Sequence, residues 1–173
     1  MSHTFKSGLP GVASDRDYYD FSILQGQIIR KILGGVDDSE LSFVTLTGRI
    51  YTLFHDQNCC ESVFIQDICG DLDDLLNVPI LLAERSTNEG DLQNDIVDIL
   101  SYQPESYTWT FYKLATVKGA VTIRWLGTSN GFYSEEVDFE EFIIDFNQAH
   151  NYKKRLLEFY TEEEIGMILL NNI

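Results

Sequence analysis

The chain has 173 residues, enough for one ordinary domain that buries most of its apolar surface without a disulfide or metal staple. Hydrophobic residues make up 44% of it, including 11 Phe and 9 Tyr, which excludes a disordered chain. A net charge of −16, from 28 acidic against 12 basic side chains, disfavours nucleic-acid backbones and anionic membranes and points to a basic protein partner.

No apolar run reaches the roughly 18 residues of a membrane span, and Met1 to Asp20 lacks the charged-then-apolar pattern of a signal peptide. Cys59, Cys60 and Cys69 are an odd set for disulfide pairing, so reduced thiols in a soluble, cytoplasmic protein are expected. The charge is uneven. Between Asp37 and Glu105 fifteen acids face only Arg49 and Arg85, whereas Ser106 to Ser134 holds Lys113, Lys118 and Arg124 and no acid. This basic stretch is expected to sit against acidic neighbours within the domain, or to leave the acidic face as a binding surface.

Met1 to Asp20, with Gly8, Pro10 and Gly11 among small polar residues, reads as a flexible N-terminal arm pinned at Tyr18 to Phe21. Ile28 to Leu33 is a β-branched run stopped by Gly34-Gly35. Leu41 to Leu46 and Arg49 to His55 form a predicted hairpin around Thr47-Gly48, although Thr suits a positive φ poorly. His55 then ends a strand, Asp56 to Asn58 turn, and Ser62 to Ile68 is a third strand. Asp71 caps a short predicted helix through Leu72, Leu75 and Leu76, where Asp73 and Asp74 suit the macrodipole; Asn77 and Pro79 stop it. Pro79 to Glu84 reads as a buried strand and Arg85 to Asp91 as a polar connection, followed by a short amphipathic helix on Leu92, Ile96, Ile99 and Leu100.

Tyr107 to Thr116 is the clearest strand, with Tyr107, Trp109 and Phe111 on one face and Thr108, Thr110, Tyr112 and Leu114 on the other. Val121, Ile123 and Trp125 return antiparallel to it, and Ser129-Asn130-Gly131 turns into Phe132 to Val137 as the third strand of a meander. From Asp138 the pattern becomes helical: Asp138 and Glu141 resemble a capping box, and Phe139, Phe142, Ile143 and Phe146 recur at helical spacing. Tyr152, Leu156 and Phe159 continue it after a break, and Thr161 with Glu164 makes a second capping box before Ile165, Ile168 and Leu169. The predicted organisation is an arm over 1–20, an α+β domain over 21–138 and a helical segment over 139–173 packed on or beside it.

Several strings carry a resemblance: His55-Asp56-Gln57-Asn58-Cys59-Cys60-Glu61-Ser62-Val63, Asp67-Ile68-Cys69-Gly70-Asp71-Leu72, and Thr108-Trp109-Thr110-Phe111-Tyr112-Lys113-Leu114-Ala115-Thr116. With Thr122 to Trp125 and Ser129 to Ser134, they resemble a family of small uncharacterised proteins of bacteriophages and prophages, over roughly Phe21 to Phe139. The resemblance implies a phage-associated setting inside a host cell and transfers no catalytic residue. Asn58 stands where that pattern more often has an acid, which weakens a metal reading.

Three sites compete. His55, Cys59 and Cys60 offer zinc-type donors, yet structural zinc sites separate paired cysteines by two to four residues, and adjacent side chains on an extended strand face opposite ways. A reactive thiolate needs an electropositive surround, which the local acids oppose. The plain account is a turn tied down by His55, Asp56 and Glu61 with one cysteine as a small core residue. The second site is a ligand platform in which Lys113, Lys118 and Arg124 with Trp109, Trp125 and Tyr112 receive an anion such as a nucleotide phosphate; core packing of the aromatics is its alternative. The third is an acidic partner face at Asp71, Asp73 and Asp74.

The sequence thus predicts an α+β fold with an antiparallel sheet of about five to seven strands, short helices and a helical C-terminal segment. No complete catalytic signature is present. The leading functional expectation is a non-enzymatic acidic interaction protein that binds a host protein. A nucleotide-sequestering protein and a metal-dependent enzyme centred on His55, Cys59 and Cys60 are the alternatives.

Overall fold

The computed structural model describes residues 19–89, 100, 104–142 and 157–170. Eight strands are β1 (Ile29–Leu33), β2 (Glu40–Thr45), β3 (Ile50–Phe54), β4 (Glu61–Cys69), β5 (Leu82–Glu89), β6 (Ser106–Ala115), β7 (Ala120–Ser129) and β8 (Asp138–Phe142). They form two antiparallel four-stranded sheets ordered β1-β2-β3-β8 and β4-β7-β6-β5. Short 3-10 helices at Phe21–Leu24 and Leu72–Leu75 and the helix α1 (Glu162–Leu170) complete the described elements. The sheet-rich α+β expectation holds, with the strands divided between two sheets.

Alternation decides which faces meet. Leu41 and Phe43 of β2, Tyr51 and Leu53 of β3 and Phe139 of β8 share one buried cluster with Val63 and Ile65 of β4, Tyr112 and Leu114 of β6 and Val121, Ile123 and Trp125 of β7. The two sheets therefore pack face to face around a single core. Phe21 fills one side of it, with ring centroids 4.7 Å from Tyr112 and 5.2 Å from Phe139. Tyr19 packs edge-on against Tyr51.

The β2–β3 connection differs from a two-residue turn. The strands end at Thr45 and resume at Ile50; Thr45 N donates to Arg49 O and Gly48 N donates to Thr45 O. Gly48 takes the positive φ of 85°, which spares Thr47 that conformation.

Three expectations are corrected. Asp138–Phe142 is a strand, not a helix start: it pairs residue for residue with β3, from Ile50 opposite Phe142 to Phe54 opposite Asp138. Phe139 thereby reaches the core, and Glu141 receives two hydrogen bonds from Arg49, at 2.6 and 2.7 Å, instead of closing a capping box. Phe132 to Val137 is a loop, with Phe132 91% exposed. The strand expected at Pro79 to Glu84 runs instead from Leu82 to Glu89, because β6 offers a full edge for the polar residues to pair along. The helices expected around Leu92 to Ile99 and from Ile143 to Leu156 lie outside the described residues, as does the arm up to Tyr18.

At the C-terminus the expected capping box forms: Glu164 N donates to Thr161 Oγ1 at 3.2 Å and Thr161 N donates to Glu164 Oε2 at 2.7 Å. Arg30 of β1 holds this segment, bonding Glu164 at 2.9 Å and the Phe159 carbonyl at 3.1 Å while lying 5.0 Å over the Tyr160 ring.

Candidate functional site

The chain changes sheets twice at one end of the sandwich. Residues 55–60 carry it from β3 to β4, and residues 130–137 carry it back from β7 to β8. Because Glu61 pairs with Ser129, the two crossings lie side by side. His55 Nδ1 is 2.7 Å from the Glu136 carbonyl, and Cys59 Sγ is 3.1 Å from the Tyr133 hydroxyl.

Glu61 organises the first crossing. Its carboxylate accepts the amides of Asn58 and, at 3.1 Å, Cys60, and it lies 3.7 Å from His55 Nε2. Burial by itself would raise this carboxyl; the Asn58 and Cys60 amides and the neighbouring imidazole outweigh it and hold Glu61 below its ordinary range. The turn is tied by His55 and Glu61 much as expected. Gln57 adds a side-chain bond to the Val63 carbonyl at 2.9 Å.

The cysteines depart from expectation. Both Cys59 and Cys60 are exposed, so neither is a core residue. Their backbone is a bend rather than an extended strand, which turns the two side chains to the same side and brings their sulfurs to 2.6 Å. As a thiolate, Cys59 accepts from Cys60 and then from Tyr133, which lowers it, while the contact with Cys59 raises Cys60. The same bond to Cys59 pushes the Tyr133 hydroxyl up to about 12. Cys69 ends β4 at the far end of the strand from this pair, about 26 Å from Glu61 at strand rise. Its thiol donates to Asp67 at 3.1 Å. Among the described residues no three His, Cys, Asp or Glu side chains gather as metal ligands.

The second crossing is anchored by Glu135, a residue missed in the sequence. It is 7% exposed and accepts Thr108 Oγ1 and Ser129 Oγ, each at 2.7 Å. Gly127 lies beneath it: a Cβ there would sit 2.5 Å from the Glu135 carbonyl. The buried carboxylate could have been sought from Gly127 and Ser129, small residues on an otherwise large-residue strand; nothing local names its partner.

The proposed platform residues are dispersed. Trp125 and Tyr112 lie in the intersheet core, Tyr112 donating to the Val137 carbonyl at 3.2 Å. Trp109 packs on the opposite face of the second sheet with Leu126, Phe64 and Phe111. Arg124 lies 5.0 Å over the Trp109 ring and bonds Asp67 at 3.3 Å. Lys118 Nζ donates to the Leu76 carbonyl at 2.9 Å, and Lys113 stands opposite Glu84 in register. The basic stretch thus sits against acids and carbonyls of the same domain. Among the acidic trio, Asp71 caps the 3-10 helix by accepting Asp73 N at 3.0 Å, and Asp71 and Asp73 are exposed. Asp74 is half-buried and its carboxylate lies against Gly119.

These features define a sheet-rich α+β protein whose polar groups concentrate where two loops cross between its sheets. Residues 22–139 match the domain of unknown function DUF7448, and the chain belongs to that family. No curated protein and no solved structure matches the chain. Among the described residues no helix is long and apolar enough to cross a membrane.

Proposed function

We propose that the protein is a non-enzymatic, acidic phage protein that binds and modulates or inhibits a host protein with a basic surface, the host's defence systems being one source of such a partner. The observation that carries this reading is the use of the cations. Arg30 engages Glu164, Arg49 engages Glu141, Arg124 engages Asp67, and Lys31 and Lys118 engage the carbonyls of Glu158 and Leu76. With these five of the described basic side chains turned to internal partners, acidic side chains are presented to solvent at exposed positions such as Asp37, Asp56, Asp71, Asp73 and Glu136. Such a surface attracts a basic partner and repels nucleic acid and anionic lipid.

The experiment is capture from host lysate by immobilised protein, repeated with Asp71→Asn/Asp73→Asn. Asn retains the helix-capping geometry at position 71, so the substitution removes charge without unfolding the turn. A discrete host protein, held at low ionic strength, released by salt and weakened by the double substitution, is the expected result. Absence of any such protein would overturn the reading. The nucleotide-sequestering alternative has less support, since Trp125 and Tyr112 serve the core; a nucleotide that stabilised the protein by roughly 2.7 kcal/mol at a hundred times its dissociation constant would restore it.

A further inference from the structure

The structure assigns Cys59 and Cys60 as a thiol–disulfide exchange site, a vicinal dithiol that reacts with a small disulfide and closes reversibly to a Cys59–Cys60 disulfide. Three features carry this. Both thiols are exposed, their sulfurs face the same side at 2.6 Å, and the turn beneath them is fixed by Glu61 through the Asn58 and Cys60 amides. The pairing is not incidental to an extended strand, where adjacent side chains diverge. It exists because the crossing from β3 to β4 bends at these two residues.

The roles within the pair follow from its contacts. They are set by Tyr133, whose hydroxyl lies 3.1 Å from Cys59 Sγ and donates to it when it is a thiolate, so the Cys59 thiolate is the better stabilised and attacks first. In that step Cys59 bonds one sulfur of the small disulfide and the other sulfur leaves as a thiolate. Cys60 then attacks Cys59 Sγ of the mixed disulfide and loses its proton to solvent. The second small thiolate leaves, and the Cys59–Cys60 bond is formed. The protein gives up two electrons, and the small disulfide is reduced to two thiols.

The product is easily reversed. Consecutive Cα atoms are about 3.8 Å apart, below the roughly 4.4–6.8 Å usual for disulfides, and an exposed, strained disulfide is readily reduced. A shallow pocket of about 350 Å³ adjoins Cys60 and is lined by Glu61, Ser62, Glu105, Thr128, Ser129 and Asn130. With Glu61 and Glu105 on its walls, it favours a neutral or cationic disulfide over an anionic one.

Full-length protein incubated in mixtures of cystamine and cysteamine, acid-quenched, alkylated and mapped by peptide mass provides the test. Expected is a single peptide containing both Cys59 and Cys60, two hydrogens lighter and closed to alkylation, with reopening when cysteamine is added. Cys69, also exposed but bonded to Asp67, serves as the internal comparison and reacts more slowly than Cys59. Cys60→Ser should trap a cysteamine adduct on Cys59, Cys59→Ser should react several-fold more slowly at Cys60, and Tyr133→Phe should slow the wild-type reaction. Lasting cysteamine adducts on wild-type Cys59 or Cys60, disulfide-linked dimers in place of the internal bond, or no reaction at either residue would overturn the assignment.

Discussion

Glu61 shows how one side chain can fix a local shape and a pH response together. Its carboxyl is held below the ordinary value of 4.5, so folding is favoured by its charged form. The stabilisation is complete above that value and declines as pH falls through the lower folded-state value. Chemical denaturation across this acid range should therefore show wild-type stability falling more steeply than that of Glu61→Gln, which has no carboxylate to protonate. Equal slopes would mean that the Asn58 and Cys60 amides do not depend on the charge. In sequence, His55 and Glu61 were legible as turn residues because a polar run follows a strand. The facing of Cys59 and Cys60 was not, since it depends on whether the backbone bends there or stays extended.

Among the elements, the turn glycines and caps are the most local in origin. Gly48 takes its positive φ from the hairpin's own geometry, and Thr161 with Glu164 closes a box within four residues. β8 is the opposite case. The i, i+3 spacing of Phe139 and Phe142 favours a helix, and the open edge of β3 together with Arg49 overrides it. Gly127 belongs to the same scale, because its lack of a side chain lets the returning loop lie on β7. A Gly127→Ala protein should lose about 1–3 kcal/mol in urea unfolding, as the Glu135 backbone is forced outward. A loss below this range would mean that the loop shifts freely.

For the whole molecule, the two sheets share one core, and the C-terminal segment is tied to the first sheet across a long stretch of chain. Arg30 makes that tie through Glu164, the Phe159 carbonyl and the Tyr160 ring. Arg30→Ala is expected to cost about 1 kcal/mol and to raise amide exchange selectively in α1 while β6 and β7 stay protected. Uniform loss of protection in both regions would instead make the C-terminal segment part of the sandwich's cooperative unit.

The sequence alone determined the antiparallel, sheet-rich character, the hairpin at Gly48, the strand faces of β6 and β7 and the acidic balance, because alternation, turn chemistry and charge are written in neighbouring residues. Only the tertiary structure decided that the strands form two facing sheets, that Asp138–Phe142 is a strand, and that Trp125 and Tyr112 are core rather than platform. It also decided that the crossings at 55–60 and 130–137 meet, bringing Tyr133 to Cys59 and Glu136 to His55. Those outcomes rest on pairings between segments far apart in the chain, where local spacing is compatible with more than one partner.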